Sequence, residues 1–202
     1  MNDHSTTRRS DTEARLVEAA RELFWAKGYE ATGVAEVLER AGANAGSLYH
    51  YFGGKEELLL AVLERYEELL DPAVLEPARR SAEDPIERVF AVLAGYRDAL
   101  LATGFARGCP IGSLALEVAE THPAARAGLS RNFGAWRAAI EGWLHEAADR
   151  FPDAADPAGL AAFVLTVMEG AVMQARVERS IAPFDACIEE LRAYFTLMEE
   201  RR

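Results

Sequence analysis

The sequence predicts an all-α chain of about nine helices. Apolar residues recur at helical spacing along almost its whole length, and no strand-like alternation of any extent appears. Helix punctuation repeats: Asp84-Pro85 and Asp156-Pro157 pair a capping carboxylate with a proline suited to the first helical position, and Gly28 and Gly42 stand where helices should stop. The 202 residues are 50% apolar and 27% charged, enough for one large or two small domains with a proper core. Disorder, collagen and a disulfide-stapled miniprotein are excluded.

Ser10 to Glu13 has the form of a capping box, so a first helix starts there and buries Leu16, Ala19, Ala20, Leu23 and Phe24. Gly28 ends it. Thr32 is the expected N-cap of a short helix carrying Val34, Val37 and Leu38, with Gly42 as a left-handed stop. Asn44 caps a second short helix bearing Leu48 and Phe52, and Gly53-Gly54 breaks the chain. A long helix spans 55–70 and should stop at Asp71-Pro72. Asp84-Pro85-Ile86-Glu87 opens the next as a capping box, with Val89, Phe90, Leu93, Tyr96 and Leu100 in register. Helices follow over 110–121, where His122-Pro123 marks the end, then through Leu129, Phe133, Trp136, Ile140, Trp143 and Ala147, and over 158–179. Pro183 separates the last of these from a helix with Ile188, Leu191, Phe195 and Met198 in line. The organisation expected is a flexible tail (1–10), a helix-turn-helix head (11–54), a connecting helix (55–71) and a larger helical body (72–202).

The net charge of −11 argues by itself against a nucleic-acid partner, but the charge is uneven. Residues 1–55 hold seven basic and eight acidic side chains, so nearly all the excess acid lies beyond them. No signal-like or membrane-length apolar run is evident, and a cytoplasmic protein without a membrane partner is expected. The two cysteines, Cys109 and Cys187, have no metal spacing and are expected as reduced thiols. His4, His50, His122 and His145 form no close metal pair, and there is neither a phosphate-binding glycine loop nor a nucleophile elbow. No metal, no cofactor and no enzymatic activity are expected.

Residues 33–52, GVAEVLERAGANAGSLYHYF, read as a helix-turn-helix. Gly42 permits the sharp turn, and the apolar set packs inward. Asn44, Ser47, His50 and Tyr51 remain on or near one face, and small Ala45 and Gly46 allow close approach to a groove floor, as base readout requires. Lys55 opens the following helix, where the helix dipole disfavours a cation unless a phosphate offsets it. The same pattern also fits a plain helical hairpin with solvated polar residues.

The stretch TGVAEVLERAGANAGSLYHYFGGKEELLLAVL resembles the DNA-binding head of the TetR family of bacterial transcriptional regulators. The matching pieces are Phe24, Lys27-Gly28-Tyr29, Thr32, Ala41-Gly42, Gly46 through Phe52, Lys55, Glu56 and Leu58. The resemblance implies a homodimer on a palindromic double-stranded operator, released when a small molecule enters each body. By position, it implies a DNA-facing set of Thr32, Asn44, Ala45, Gly46, Ser47, Tyr49, His50, Tyr51 and Lys55, with Tyr49 and Lys55 chiefly on phosphates. Arg8 and Arg9 could reach the backbone or the minor groove. Arg107 to Glu117, RGCPIGSLALE, resembles one subgroup of these regulators.

In the body, small residues on the last two helices allow close helix approach. Phe163, Val167, Ala171, Ala175, Leu191, Phe195 and Met198 are the expected dimer interface. Tyr96, Phe105, Cys109, Phe133, Trp136, Phe163 and Glu169 are the candidate lining for a small, mostly apolar or aromatic effector, with Arg97 and Gln174 as further polar candidates. Cys109, before Pro110 at a helix start, reads either as a thiol lowered in pKa by the dipole, hence a redox or electrophile sensor, or as a small residue in a tight turn. An activator, and a helical adaptor that binds protein rather than DNA, are the competing functions.

Overall fold

The computed structural model describes residues 10–201, and Arg8, Arg9 and most of the expected tail lie outside them. Among the described residues all regular structure is helical, with no strand. Helix α1 (Asp11–Lys27) starts where Ser10 accepts a hydrogen bond from Glu13 N. It ends at Gly28, whose φ of 92° only glycine adopts easily. Helices α2 (Val34–Ala41) and α3 (Ala45–Tyr51) flank Gly42, which lies in the left-handed region at φ 59°, ψ 41°. Asn44 caps α3 by accepting from Ser47 N at 2.9 Å.

Helix α4 (Lys55–Leu70) does not stop at Asp71-Pro72 as the sequence suggests. It widens into one π-helical turn, Asp71–Leu75, and continues as α5 (Glu76–Ser81). The wider turn lets Glu76 N donate to Asp71 O, and each proline falls at the start of a segment, where a missing N–H costs little.

Helix α6 (Pro85–Ala102) begins as expected, with Asp84 accepting from Ile86 N and Glu87 N. The Glu87 carboxylate does not close a capping box; it ion-pairs with Arg192 at 2.6 Å. Helices α7 (Pro110–Val118), α8 (Pro123–Glu146), α9 (Pro157–Glu178) and α10 (Ala182–Glu200) complete the body.

Helix α9 is, by length and composition, apolar enough to cross a bilayer. Here it is the central core helix, packed between α8 and α10 with Ala161, Val164, Met168 and Ala175 withdrawn from solvent.

Two hydrophobic clusters result. The body core joins α5, α6, α8, α9 and α10. The head core gathers Leu16, Phe24, Val37, Leu48, Leu58 and Leu63 from α1 to α4, but also Leu114 and Val118 of α7 and Ala125 and Leu129 of α8. The head therefore rests on the start of the body rather than hanging from α4 alone.

Candidate DNA interface and effector cavity

On the outer side of the helix-turn-helix, Asn44, Ala45, Gly46, Tyr49 and His50 are exposed, while Ser47, Tyr51 and Lys55 are half-buried. Leu48, between them, is fully buried and pins α3 to the head core. Asn44 and Ser47 are coupled: Ser47 N and Ser47 Oγ both donate to Asn44 Oδ1, which leaves the Asn44 amide NH2 pointing its donors elsewhere. The His50 and Tyr51 rings meet edge to face at 4.7 Å.

Thr32 is a correction. It neither caps α2, where Gly33 stands at the N-cap, nor faces outward. It is 1% exposed, its hydroxyl donates to Gly28 O at 2.7 Å and its N–H to Tyr29 O at 3.1 Å. Both donors are used to close the turn after α1, so none is left for DNA.

Charge on the head is locally balanced with one exception. Arg15 pairs with Asp11, Arg21 with Glu18, Lys27 with Glu36 and Arg40 with Glu22. Lys55 alone among the head's described cations has no carboxylate partner. Its ammonium sits 4.0 Å from the centre of the Tyr29 ring, at the N-terminus of α4. A cation held by a ring face and opposed by a helix dipole is poised for an external anion.

The Tyr29 turn is gripped from the body, a feature the sequence reading missed. The Glu117 carboxylate on α7 accepts from Tyr29 N at 2.8 Å and Glu30 N at 2.7 Å. Gly28 makes this possible, since a Cβ there would stand 2.9 Å from the carboxylate oxygens. Trp25 Nε1 on α1 likewise donates to Gly108 O at 2.7 Å, and the Arg107 guanidinium lies 4.7 Å over the Trp25 ring. Sequence separations of more than 80 residues hid these contacts; their traces were the turn glycine and the segment 107–117, which holds Arg107, Gly108 and Glu117.

Behind this contact lies a cavity of about 660 Å³. Tyr96, Cys109, Phe133, Trp136 and Glu169 all line it, as do Trp25 and Arg21 of α1 and Tyr66 and Leu69 of α4. Two expected lining residues do not. Phe105 follows Gly104 in a turn where both residues are left-handed, and its ring packs on the body core outside the cavity wall. Phe163 is 44% exposed on the outer side of α9, 5.6 Å from the Tyr194 ring. Arg97 is engaged by Asp185 at 2.7 Å, and Gln174 is exposed.

The expected low pKa of Cys109 is also corrected. Burial, then the neighbouring Glu169 carboxyl, push the thiol well above its ordinary value, outweighing the α7 N–H groups. The lowered pKa on which the sensor reading rests is not supported here. Burial likewise raises Glu169 and Tyr96. No cluster of metal-ligating side chains occurs among the described residues.

The expected dimer residues divide. Ala171, Ala175, Leu191 and Phe195 are buried inside the protomer, Phe195 stacking edge to face on Phe90 and Phe151. They are core, not interface, because α9 and α10 turn those faces toward α6 and α8. Val167 and Met198 are half-buried. The exposed apolar side chains of α9 and α10 are Phe163, Met173, Val177, Tyr194 and Leu197.

A helix-turn-helix with an exposed second helix and the unpaired Lys55 beside it, joined to a helical body with a large cavity, is the architecture of a helix-turn-helix DNA-binding regulator. Residues 16–62 match the family model for bacterial regulatory proteins of the tetR family, and residues 85–190 match that of the LmrA/YxaF-like C-terminal domain. The chain is 32% identical over 185 residues to an uncharacterised HTH-type transcriptional regulator of Mycobacterium tuberculosis, spanning 88% of this chain and 91% of that protein. It is 31% identical over 176 residues to the transcriptional regulator AcuR of Cereibacter sphaeroides, spanning 81% and 75% respectively. The crystal structure of a regulatory protein TetR from Rhodobacter sphaeroides superposes with a TM-score of 0.80 at 27% identity, covering 90% of this chain and 97% of that one. The chain belongs to the TetR family and is a DNA-binding transcriptional regulator.

Proposed function

We propose that the protein is a homodimeric repressor that binds a palindromic operator and lets go when a small, mostly apolar or aromatic effector fills the cavity. The observation that carries this reading is that the cavity wall includes the head's own first helix, through Arg21 and Trp25. An occupant there presses on α1 and on the Trp25–Gly108 contact, and α7 relays the displacement through Glu117 to the turn that holds Lys55. The head (11–54), the connecting helix (55–71) and the body (72–202) then act as reader, lever and receiver. Asn44, Ala45, Gly46, Ser47, His50 and Tyr51 read the groove, and Tyr49 and Lys55 hold phosphates.

The open faces of α9 and α10 pair the two copies. Two heads on one side of a duplex require half-sites about one helical turn apart, roughly 34–36 Å. Selection from random duplex DNA tests the reading: a palindrome should be enriched, and enrichment of nothing above background rules it out. Val177→Asp, on a side chain 80% exposed in one protomer, should give folded monomers by sedimentation that no longer retain the palindrome.

A further inference from the structure

The cavity wall holds one carboxyl without a basic partner. Glu169 Oε1 and Trp136 Nε1 are both buried and neither has a hydrogen-bond partner, and Trp136 is only 4% exposed. None of the cations nearby pairs with Glu169, although Arg176 Nε is itself buried without a hydrogen-bond partner. Arg21 pairs with Glu18 at 2.8 Å, Arg176 donates to Ser113 Oγ and Ala106 O, and Arg107 lies over Trp25. The other polar neighbours of Glu169 are the neutral Cys109 thiol and Tyr96 hydroxyl, while Asp98, elsewhere on the wall, adds charge of the same sign. A Cβ on Gly112 would collide with the Glu169 carboxylate, so any side chain there would push that carboxylate aside.

Burying a carboxyl whose hydrogen-bond partner is only the Cys109 thiol is costly unless something neutralises it or bonds the free oxygen. What surrounds it suits a positive charge. Tyr96, Phe133 and Trp136 place aromatic rings around the space, and ring faces attract cations, while the Tyr66 and Trp25 rings already lie under Arg21 and Arg107. The net charge of −11 draws cations toward the molecule as a whole.

We propose that the cavity takes a lipophilic cation: a polycyclic or aromatic body carrying one protonated amine, with the ammonium donating to the Glu169 carboxylate. This rests on the reading of the cavity as the effector site and names the chemistry of its occupant.

Three probes on one ring system separate the possibilities: pyren-1-ylmethylamine is cationic, pyren-1-ylmethanol neutral and pyren-1-ylacetic acid anionic. Each is titrated against the full chain by fluorescence anisotropy, with and without operator DNA. The amine should bind at least about tenfold more tightly than the alcohol, and the acid least tightly. Glu169→Gln should erase the amine's advantage and leave the alcohol's affinity in place, which also reports an intact fold. Glu169→Asp should keep the preference. Alcohol or acid binding as tightly as the amine, or a preference that survives Glu169→Gln, overturns the proposal. Binding of none of the three overturns it together with the effector reading. A preference for the amine that leaves operator affinity unchanged supports the cation site and overturns only the release mechanism.

Discussion

Around Leu16, Leu48 and Leu58 the head packs shut, whereas around Tyr96, Phe133 and Trp136 the body leaves about 660 Å³ open. Both regions are helices of ordinary composition, so propensity does not separate them. The head is filled by mostly aliphatic side chains of α1 to α4, closed off by Leu114 and Val118 of α7 and Ala125 and Leu129 of α8, which interdigitate well. The body surrounds its space with large rings and a buried carboxyl, which do not. Polar groups differ in the same sense. In the head Asn44, Ser47 and Thr32 are satisfied locally. In the body Trp136 Nε1 and Glu169 Oε1 are left waiting. A closed unit presents a fixed surface, and an open one accepts an occupant. The seam between them, at Trp25, Gly108, Tyr29 and Glu117, is where one must feel the other.

The strongest test of this contrast is core truncation. Leu48→Ala removes a fully buried side chain from the closed head and should cost about 2–5 kcal/mol in urea unfolding. Leu165→Ala, at the cavity wall, enlarges an existing space and should fall at or below about 2 kcal/mol. Equal costs would mean that the body is as tightly filled as the head.

Next in size is the seam. Glu117→Ala removes two hydrogen bonds from a carboxylate to the Tyr29 and Glu30 amides and should destabilise by about 1–3 kcal/mol. Hydrogen exchange at those two amides should accelerate selectively, while Leu191 and Phe195 in the body stay protected. Unchanged exchange at Tyr29 would show that the turn holds without its grip.

Lys55→Ala touches only the reading face. Stability should change by less than about 0.5 kcal/mol, since the ammonium is only half-buried against Tyr29. Affinity should fall alike for operator and random duplex, with the salt slope shallower by about one unit. Loss confined to the operator would make Lys55 a reader of sequence rather than a phosphate holder.

The smallest effect is in the pH dependence, where head-to-body symmetry fails in sign. Glu169 is raised by burial, so its folded form holds a proton longer than the unfolded chain does. Its contribution is therefore present below the ordinary carboxylate value and is lost as pH rises from there through the raised value. Glu18 in the head is lowered: burial opposes the shift, but the hydrogen bonds and charges of Arg65 and Arg21 outweigh it. Its contribution is present above the ordinary value and lost as pH falls through the lowered one. Glu169→Gln should flatten the decline on the upper side of that window and Glu18→Gln the decline on the lower side. Urea titrations across pH compare them, and the same sign for both would contradict the difference in burial and pairing.

The sequence alone determined the local events. Ser10, Asn44, Asp84 and Asp156 cap because a short polar side chain bonds the orphan N–H groups two or three residues on. Gly42 turns because nothing but backbone sterics is involved. The exposed positions around the buried Leu48, from Asn44 to His50, follow from helical period, and the family match extends well beyond them, over residues 16–62 and 85–190. Periodicity could say that Ala171 and Phe195 face inward, but not whether inward meant a neighbouring helix or a second copy. Tertiary packing decided that, turning both into protomer core and leaving Phe163, Val177 and Tyr194 outside.

It also decided that Thr32 closes a turn, that Phe105 lies outside the cavity, and that Cys109 is held neutral. Each depends on groups far away in the chain: desolvation and a facing carboxylate override the helix dipole, which is a local effect. The cavity itself is the clearest case. Its walls come from α1, α4, the π-helical turn, α5, α6, α7, α8 and α9, so its shape is a property of how helices cross, and no window of sequence contains it.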